Sequence, residues 1–153
     1  MGRFNENVIT KIEQELRVKL PEIYKRVLLK YPFPLDSDAA YYDLYGDPEV
    51  IVEDNKYYID NGINGLPWPT HYFIVGNDGA GDIFFIDLNS PDSPIFKTQQ
   101  NSDHAKSIAA QEIAKNIYEF IEQIRDRELE FEGEDPADLE ENKKIKKRSA
   151  SWE

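Results

Sequence analysis

The sequence contains no cysteine, which excludes both a disulfide framework and a thiolate metal site. Histidine is scarce as well: His71 and His104 are the only two, and neither has a second histidine at the spacing of a metal site. No stretch approaches the ~18 consecutive apolar residues of a membrane-spanning helix. We therefore expect a protein of the cytoplasm that binds no membrane, no metal and no cofactor.

Sequence signatures of catalysis are also missing. There is no Gly-x-Ser-x-Gly elbow to present a nucleophilic serine, and a cysteine nucleophile is excluded. Carboxylate pairs are abundant, but in a chain this acidic their spacing singles out no acid and base. We predict that the protein is not an enzyme, and a metal-dependent hydrolase is the least favoured alternative.

Basic residues are outnumbered by acidic ones, 18 to 30, and the net charge is -12. Such a surface repels phosphate backbones, so nucleic acid is not an expected partner. It favours a basic protein partner, because opposite fields steer association. The alternative is that the acidity only keeps the protein soluble.

The 153 residues are enough for one domain with a real core. Two N-terminal helices are predicted, one over residues 5–17 and one that begins at Pro21 and ends before Pro32 and Pro34. Their apolar faces, at helical spacing, are formed by Ile9, Ile12 and Leu16, and by Tyr24, Val27, Leu28 and Tyr31.

Strands are predicted in the middle of the chain. Short branched or aromatic runs at residues 40–42, 50–52 and 57–59 alternate with turn formers. Two stronger runs, residues 71–75 and 83–88, flank a glycine-rich turn and predict an antiparallel hairpin. Because both runs are almost continuously apolar, we expect this hairpin in the middle of the sheet with both faces covered. Residues 95–97 predict a further strand.

A last helix is predicted to start between Ser107 and Glu112 and to run to Arg127. Its apolar stripe is formed by Ile113, Ile117, Phe120, Ile121 and Ile124. Residues 130–153 are acidic and then basic, which predicts a flexible, solvated extension of a domain formed by residues 1–129. The alternative is a helix over residues 137–147 that bends back on the acidic body. The element order predicts an α+β fold, a single domain with a mainly antiparallel sheet flanked by the two N-terminal helices and a long C-terminal helix.

The glycine-rich turn contains Asp78, Gly79, Gly81 and Asp82. A phosphate-binding loop would open a helix and carry a lysine, whereas this turn opens a strand between acids. Calcium remains an alternative because both aspartates offer oxygen ligands, although the order of EF-hand ligands is absent. The favoured interpretation is structural: the glycines permit positive φ, and the aspartates accept hydrogen bonds from N–H groups of the turn.

Charge and tyrosine are concentrated in residues 36–60, which we call the acidic tyrosine segment. It holds eight acids against one base, Lys56, and thus seven of the chain's twelve net negative charges. Tyrosine is favoured at binding hot spots, so the segment predicts a partner surface. The alternative is that the tyrosines fill the core while the acids are merely solvated. The predicted contact residues are Asp36, Asp38, Tyr41, Tyr42, Asp43, Tyr45, Asp47, Glu49, Glu53, Asp54, Tyr57 and Tyr58.

Two stretches resemble motifs of the SUKH superfamily, which includes bacterial immunity proteins and the fungal cell-wall assembly regulator tied to killer-toxin resistance. Residues 20–28 are similar to the family's LP-x-x-Y/F-K-x-F-L helix, and residues 73–88 to its two strands around a dGgGD turn. Residues 94–96 and 117–121 fall where the family has its last strand and final helix. The matching motif residues are Leu20, Pro21, Tyr24, Leu28, Asp78, Gly79, Gly81, Asp82 and Asp87.

The resemblance spans roughly residues 5–128, and its one clear departure is Pro32-Phe33-Pro34, where members often have Asn-Gly. It implies a mixed, mainly antiparallel sheet flanked by helices and a protein without catalytic activity. For a bacterial member it implies an immunity protein that neutralises a cognate toxin. We expect that toxin to be basic, with a nuclease as one option. The alternative is a regulatory or scaffold domain; oligomeric state is left open.

Overall fold

The computed structural model describes residues 3–63, 65–98 and 110–131, with side chains as far as Arg127. In chain order it contains α1 (Glu6–Leu16), α2 (Glu22–Leu29), a π-helical turn (Ala39–Asp43), α3 (Pro48–Asn61), β1 (Tyr72–Asn77), β2 (Ile83–Asp87), β3 (Ile95–Thr98), β4 (Ala110–Ala114) and α4 (Ile117–Phe131). The predicted α+β class is confirmed. Most of the predicted extension, from residue 132 on, lies outside the described residues.

The two N-terminal helices form where the sequence predicts them. The Asn5 side chain accepts a hydrogen bond from the N–H of Val8 at 2.9 Å and caps α1, which ends at Arg17 in the left-handed region with φ 55°. Pro21 directly precedes α2, and its fixed φ suits a helix start. The connection is tied back to α1, since the Leu20 N–H donates to the Glu13 carboxylate at 2.8 Å.

The three short strands predicted between residues 40 and 59 are wrong. Residues 40–42 lie in the π-helical turn, and residues 50–52 and 57–59 lie in α3. Local signals for a helix were present: Asp47 caps α3 by accepting from the Glu49 N–H at 2.9 Å, Pro48 opens it, and Gly62 ends it. Branched and aromatic residues favour strands only weakly, and these signals outweigh that preference.

The sheet is antiparallel, with the strand order β1-β2-β3-β4. The predicted hairpin is present, but β1 lies at an edge rather than in the middle. A second correction concerns residues 110–114, which form β4 instead of the first turns of the last helix, so Ile113 belongs to a strand. The helix starts later because Asn116 accepts a hydrogen bond from the Glu119 N–H at 2.9 Å and caps α4.

The edge of β1 is covered by two polar contacts. Asn55, buried in the middle of α3, donates to the carbonyl of Ile74 at 3.1 Å and accepts from its N–H at 2.9 Å. The N–H of Tyr45 donates to the carbonyl of Val75 at 2.8 Å, where the β1–β2 pairing contains a bulge. An amide side chain thus supplies the donor and the acceptor that a neighbouring strand would otherwise provide.

The core lies between the helices and both faces of the hairpin, as the continuous apolar runs predicted. Phe84 packs against Phe120 of α4, with ring centroids 5.1 Å apart. Phe85, the next residue of β2, points the other way and packs against Trp68 at 5.4 Å. Tyr24 of α2 contacts Phe73 of β1 edge to face at 5.8 Å. One buried cluster therefore joins elements from both ends of the chain.

Candidate protein-binding surface

The exposed acids and tyrosines of the acidic tyrosine segment are Asp36, Asp38, Tyr41, Tyr42, Glu49, Glu53, Tyr57 and Asp60. Tyr41 is 70% exposed and lies edge to face against Tyr42, with ring centroids 4.6 Å apart. Tyr57 is 58% exposed and contacts Tyr58 in the same way at 5.1 Å. Large aromatic rings open to solvent among carboxylates have the composition of a binding surface.

Two of the predicted contact residues are not on the surface. Asp43 and Tyr45 are buried, so they cannot contact a partner in this structure. The Asp43 carboxylate receives two hydrogen bonds from the Arg127 guanidinium of α4, at 2.8 and 3.1 Å. This paired geometry is the strong form of a charge-assisted hydrogen bond. It fixes the end of the π-helical turn to the C-terminal helix.

Tyr45 joins α3 to the end of β1. Its hydroxyl donates to the Asp54 carboxylate and accepts from the Asn77 side-chain amide at 2.8 Å. Burial, and next the hydrogen bond to Asp54, raise the pKa of the Tyr45 hydroxyl well above its usual value. The hydroxyl therefore stays protonated and keeps its role as a donor to Asp54.

Three other predicted contact residues also have structural partners. Asp47 caps α3 and forms an exposed ion pair with Arg3 at 2.8 Å. Asp54 is half-buried and receives the Tyr45 hydrogen bond, and Tyr58 is half-buried with its ring 5.9 Å from that of Trp68. These residues border the exposed surface and hold it in place.

Replacing Arg127 by glutamine should lower the free energy of unfolding by about 2 kcal/mol, because the buried Asp43 carboxylate would lose a charged, bidentate donor. Urea unfolding measures this loss. Arg125→Gln on the same helix is the matched control, since Arg125 contacts only the exposed Glu122, at 3.7 Å, among the described acids. Its expected cost is under about 0.5 kcal/mol. Equal losses in the two variants would contradict the structural role of the Arg127 contact.

The glycine-rich turn is organised by one of its two aspartates. The Asp78 carboxylate accepts from the N–H groups of Ala80 at 2.8 Å and Asp82 at 3.0 Å, and the Lys97 ammonium lies 3.4 Å away. Partial burial raises the pKa of Asp78, but these donors outweigh it and lower the pKa below its usual value. Asp82 accepts no such turn hydrogen bond, and its Oδ1 has no hydrogen-bond partner among the described atoms.

The two glycines adopt the backbone that the structural interpretation requires: φ is 78° at Gly79 and 110° at Gly81. In the described part of the chain, no group of three or more acidic or histidine side chains could hold a metal ion. None of the helices described there is long and apolar enough to cross a membrane.

Comparison with protein families finds a match between residues 4–123 and the model of the SMI1 / KNR4 family (SUKH-1). The chain belongs to this family. SUKH-1 members act through protein–protein interaction and are generally non-catalytic immunity or regulatory proteins, so the family supports a protein-binding role. No curated protein and no solved structure gives a significant match.

The residues that match the SUKH motifs hold the fold together. Leu20, Tyr24 and Leu28 are buried in the core, and Pro21 opens α2. Asp87 ends β2 and accepts from the Asn89 N–H at 2.9 Å, which forms the next turn. These motif residues lie in the core, at the start of α2 and in turns, and none of them belongs to the acidic tyrosine segment.

Three exposed residues of the segment, Lys56, Ile59 and Asp60, are missing from the predicted set. Ile59 is half exposed on α3, two positions from Tyr57. The prediction selects acids and tyrosines, so an isoleucine lies outside it. The helical start at Asp47-Pro48 was the signal that could have placed Ile59 in a helix.

Proposed function

We propose that this SUKH-1 protein is an immunity-type protein that binds and neutralises a basic toxin domain through the exposed residues of its acidic tyrosine segment. The observation that carries the proposal is the combination of exposed tyrosines with uncompensated carboxylates. Tyr41 and Tyr57 are more than half exposed, and Asp38, Glu49 and Glu53 are exposed without an ion pair to any described residue.

The negative charge of this surface is not cancelled from within the segment. Its only base, Lys56, has its ammonium 3.8 Å from the carboxylate of Glu15 on α1, outside the segment. Glu49 and Glu53 also line a groove of about 610 Å³ between α1 and α3, with Val52 beside them. Two bases line it as well, Lys11 and Arg3, and Arg3 is paired with Asp47. Long basic side chains of a partner fit this combination of apolar wall and carboxylates.

The two kinds of side chain have different expected roles in neutralisation. Carboxylates speed the encounter with a basic partner and set its orientation. Tyrosines supply contact area at low entropic cost and strengthen the complex once it has formed. Inhibition is then stoichiometric, by covering the substrate cleft of the toxin or the surface next to it. For a nuclease, the carboxylates would occupy the field that normally attracts phosphates.

The charge of the segment can be tested with two matched triple variants. Asp38→Asn, Glu49→Gln and Glu53→Gln neutralise exposed acids of the segment; Asp92→Asn, Glu112→Gln and Asp126→Asn neutralise exposed acids elsewhere. The partner is first captured from the native host with the tagged protein, and its affinity is then measured against salt. We expect the first triple to weaken binding at least tenfold at low salt, with the difference shrinking at high salt, and the second to change it less than twofold.

Two further measurements separate recognition from neutralisation. Tyr41→Ala and Tyr57→Ala should each weaken binding by about 2 kcal/mol at unchanged stability, because these rings are exposed. Co-expression with the toxin domain should restore growth with the unmodified protein and not with the segment variants. Binding that leaves the toxin active would favour a regulatory or scaffold role. Equal affinities for the two triple variants would contradict the electrostatic part of the proposal.

A further inference from the structure

We propose that the groove between α2 and α4 binds an acidic segment of a second protein that carries an apolar anchor side chain. The groove encloses about 490 Å³, and the residues that matter for its chemistry are Arg26, Leu29, Lys30, Tyr118, Glu122 and Arg125. None of them belongs to the acidic tyrosine segment. The proposal is therefore independent of the proposed toxin-binding function.

The groove is basic in a protein with a net charge of -12. It collects three cations and one acid. Arg125 is partly compensated, because its guanidinium lies 3.7 Å from the Glu122 carboxylate. Arg26 and Lys30, one helical turn apart, form no ion pair within the described part of the chain. The positive field of the groove attracts an acidic partner. Because the rest of the surface repels such a partner, it is directed to this groove.

Apolar side chains are exposed beside these cations. Leu29 is 42% exposed on α2, and Tyr118 is 50% exposed on α4. Cations near the C-terminal end of a helix interact favourably with the helix dipole, which would explain the positions of Arg26 and Lys30 at the end of α2. That explanation does not account for a leucine and a tyrosine left open across the same groove. A basic rim around an apolar contact area is complementary to an acidic peptide with one large apolar side chain.

The test uses the full-length protein and a fluorescein-labelled short peptide of glutamates with one phenylalanine, followed by fluorescence anisotropy. We expect saturable binding that weakens at least tenfold when the peptide's phenylalanine is replaced by alanine, and is lost when its glutamates are replaced by lysine. The double variant Arg26→Glu with Lys30→Glu should weaken binding at least tenfold. Lys11→Glu with Lys19→Glu, two exposed lysines outside this groove, is the charge-matched control and should change it less than threefold.

Four outcomes would overturn the proposal. The first is non-saturable binding, and the second is equal effects of the two double variants. The third is binding that occurs only after the acids in residues 132–141 of the chain are neutralised, which would make that segment the occupant. The fourth is self-association in sedimentation that Arg26→Glu with Lys30→Glu abolishes, which would make a second copy the occupant. Toxin affinity should be unchanged in the groove variant, so this test fails or succeeds separately from the proposed function.

Discussion

Replacing Gly76 by alanine should destabilise the protein by more than about 4 kcal/mol, a large part of the roughly 5–15 kcal/mol by which native domains are stable. Gly76 lies in β1 directly beneath the end of the π-helical turn. A Cβ there would overlap the carbonyl oxygen of Asp43 and lie 2.6 Å from that of Tyr42. Both neighbours are backbone atoms, and the turn that carries them is fixed by Arg127 and by the Tyr45–Val75 hydrogen bond. The turn therefore has no easy way to move aside.

Gly65→Ala is the appropriate comparison for this variant. Gly65 has a φ of 77°, which alanine rarely adopts, but apart from its own chain neighbours no described residue has an atom within 4 Å of the position of a Cβ. Its expected cost is about 1 kcal/mol, from backbone strain alone. Urea unfolding, or soluble yield where the variant does not fold, measures both changes. A Gly76→Ala protein as stable as the Gly65→Ala protein would show that the π-helical turn is not held against β1.

Replacing Asn55 by alanine should lower the free energy of unfolding by about 3 kcal/mol. The buried amide makes two hydrogen bonds to the backbone of Ile74 and a third to the carbonyl of Ile51 at 2.9 Å. Alanine leaves the Ile74 N–H and carbonyl buried without these partners, and each group then carries its cost of desolvation.

Asn61→Ala on the same helix is the matched control, because the Asn61 amide donates to the Tyr57 carbonyl at 2.8 Å at an exposed position. Its expected cost is within about 0.5 kcal/mol, since water replaces the lost bond. Hydrogen exchange at Ile74 adds a local measurement: protection should fall in Asn55→Ala and remain in Asn61→Ala. Unchanged protection at Ile74 would contradict the role of Asn55 at the sheet edge.

The elements that the sequence predicts correctly are those whose signals are local. Ile9, Ile12 and Leu16 repeat at helical spacing in α1. The two apolar runs are separated only by the glycine-rich turn, so each is the nearest pairing partner of the other. The family resemblance, carried by the second helix and this hairpin, is confirmed by the match over residues 4–123.

The strand prediction for α3 is a different kind of error, because the local start signal at Asp47-Pro48 is in the sequence. Other features depend on a distant partner. The burial of the Asn55 amide is explained only by β1, where it contacts Ile74. β4 carries mostly exposed side chains and little apolar pattern, and its pairing with β3 decides its conformation. Likewise, no residue near Asp43 in the sequence indicates that its carboxylate binds Arg127, 84 positions away, and is therefore buried.

The π-helical turn has a consequence for how new specificities can arise. Its backbone packs closely against Gly76 of β1, and the Asp43–Arg127 contact ties it to α4. The side chains of Asp38, Tyr41 and Tyr42 are exposed to solvent. Substitutions at these three positions of the proposed binding surface should therefore change which partner it binds at little cost to folding. A library randomised there, with Asp43, Gly76 and Arg127 left intact, would serve as a starting point for binders directed at other basic proteins.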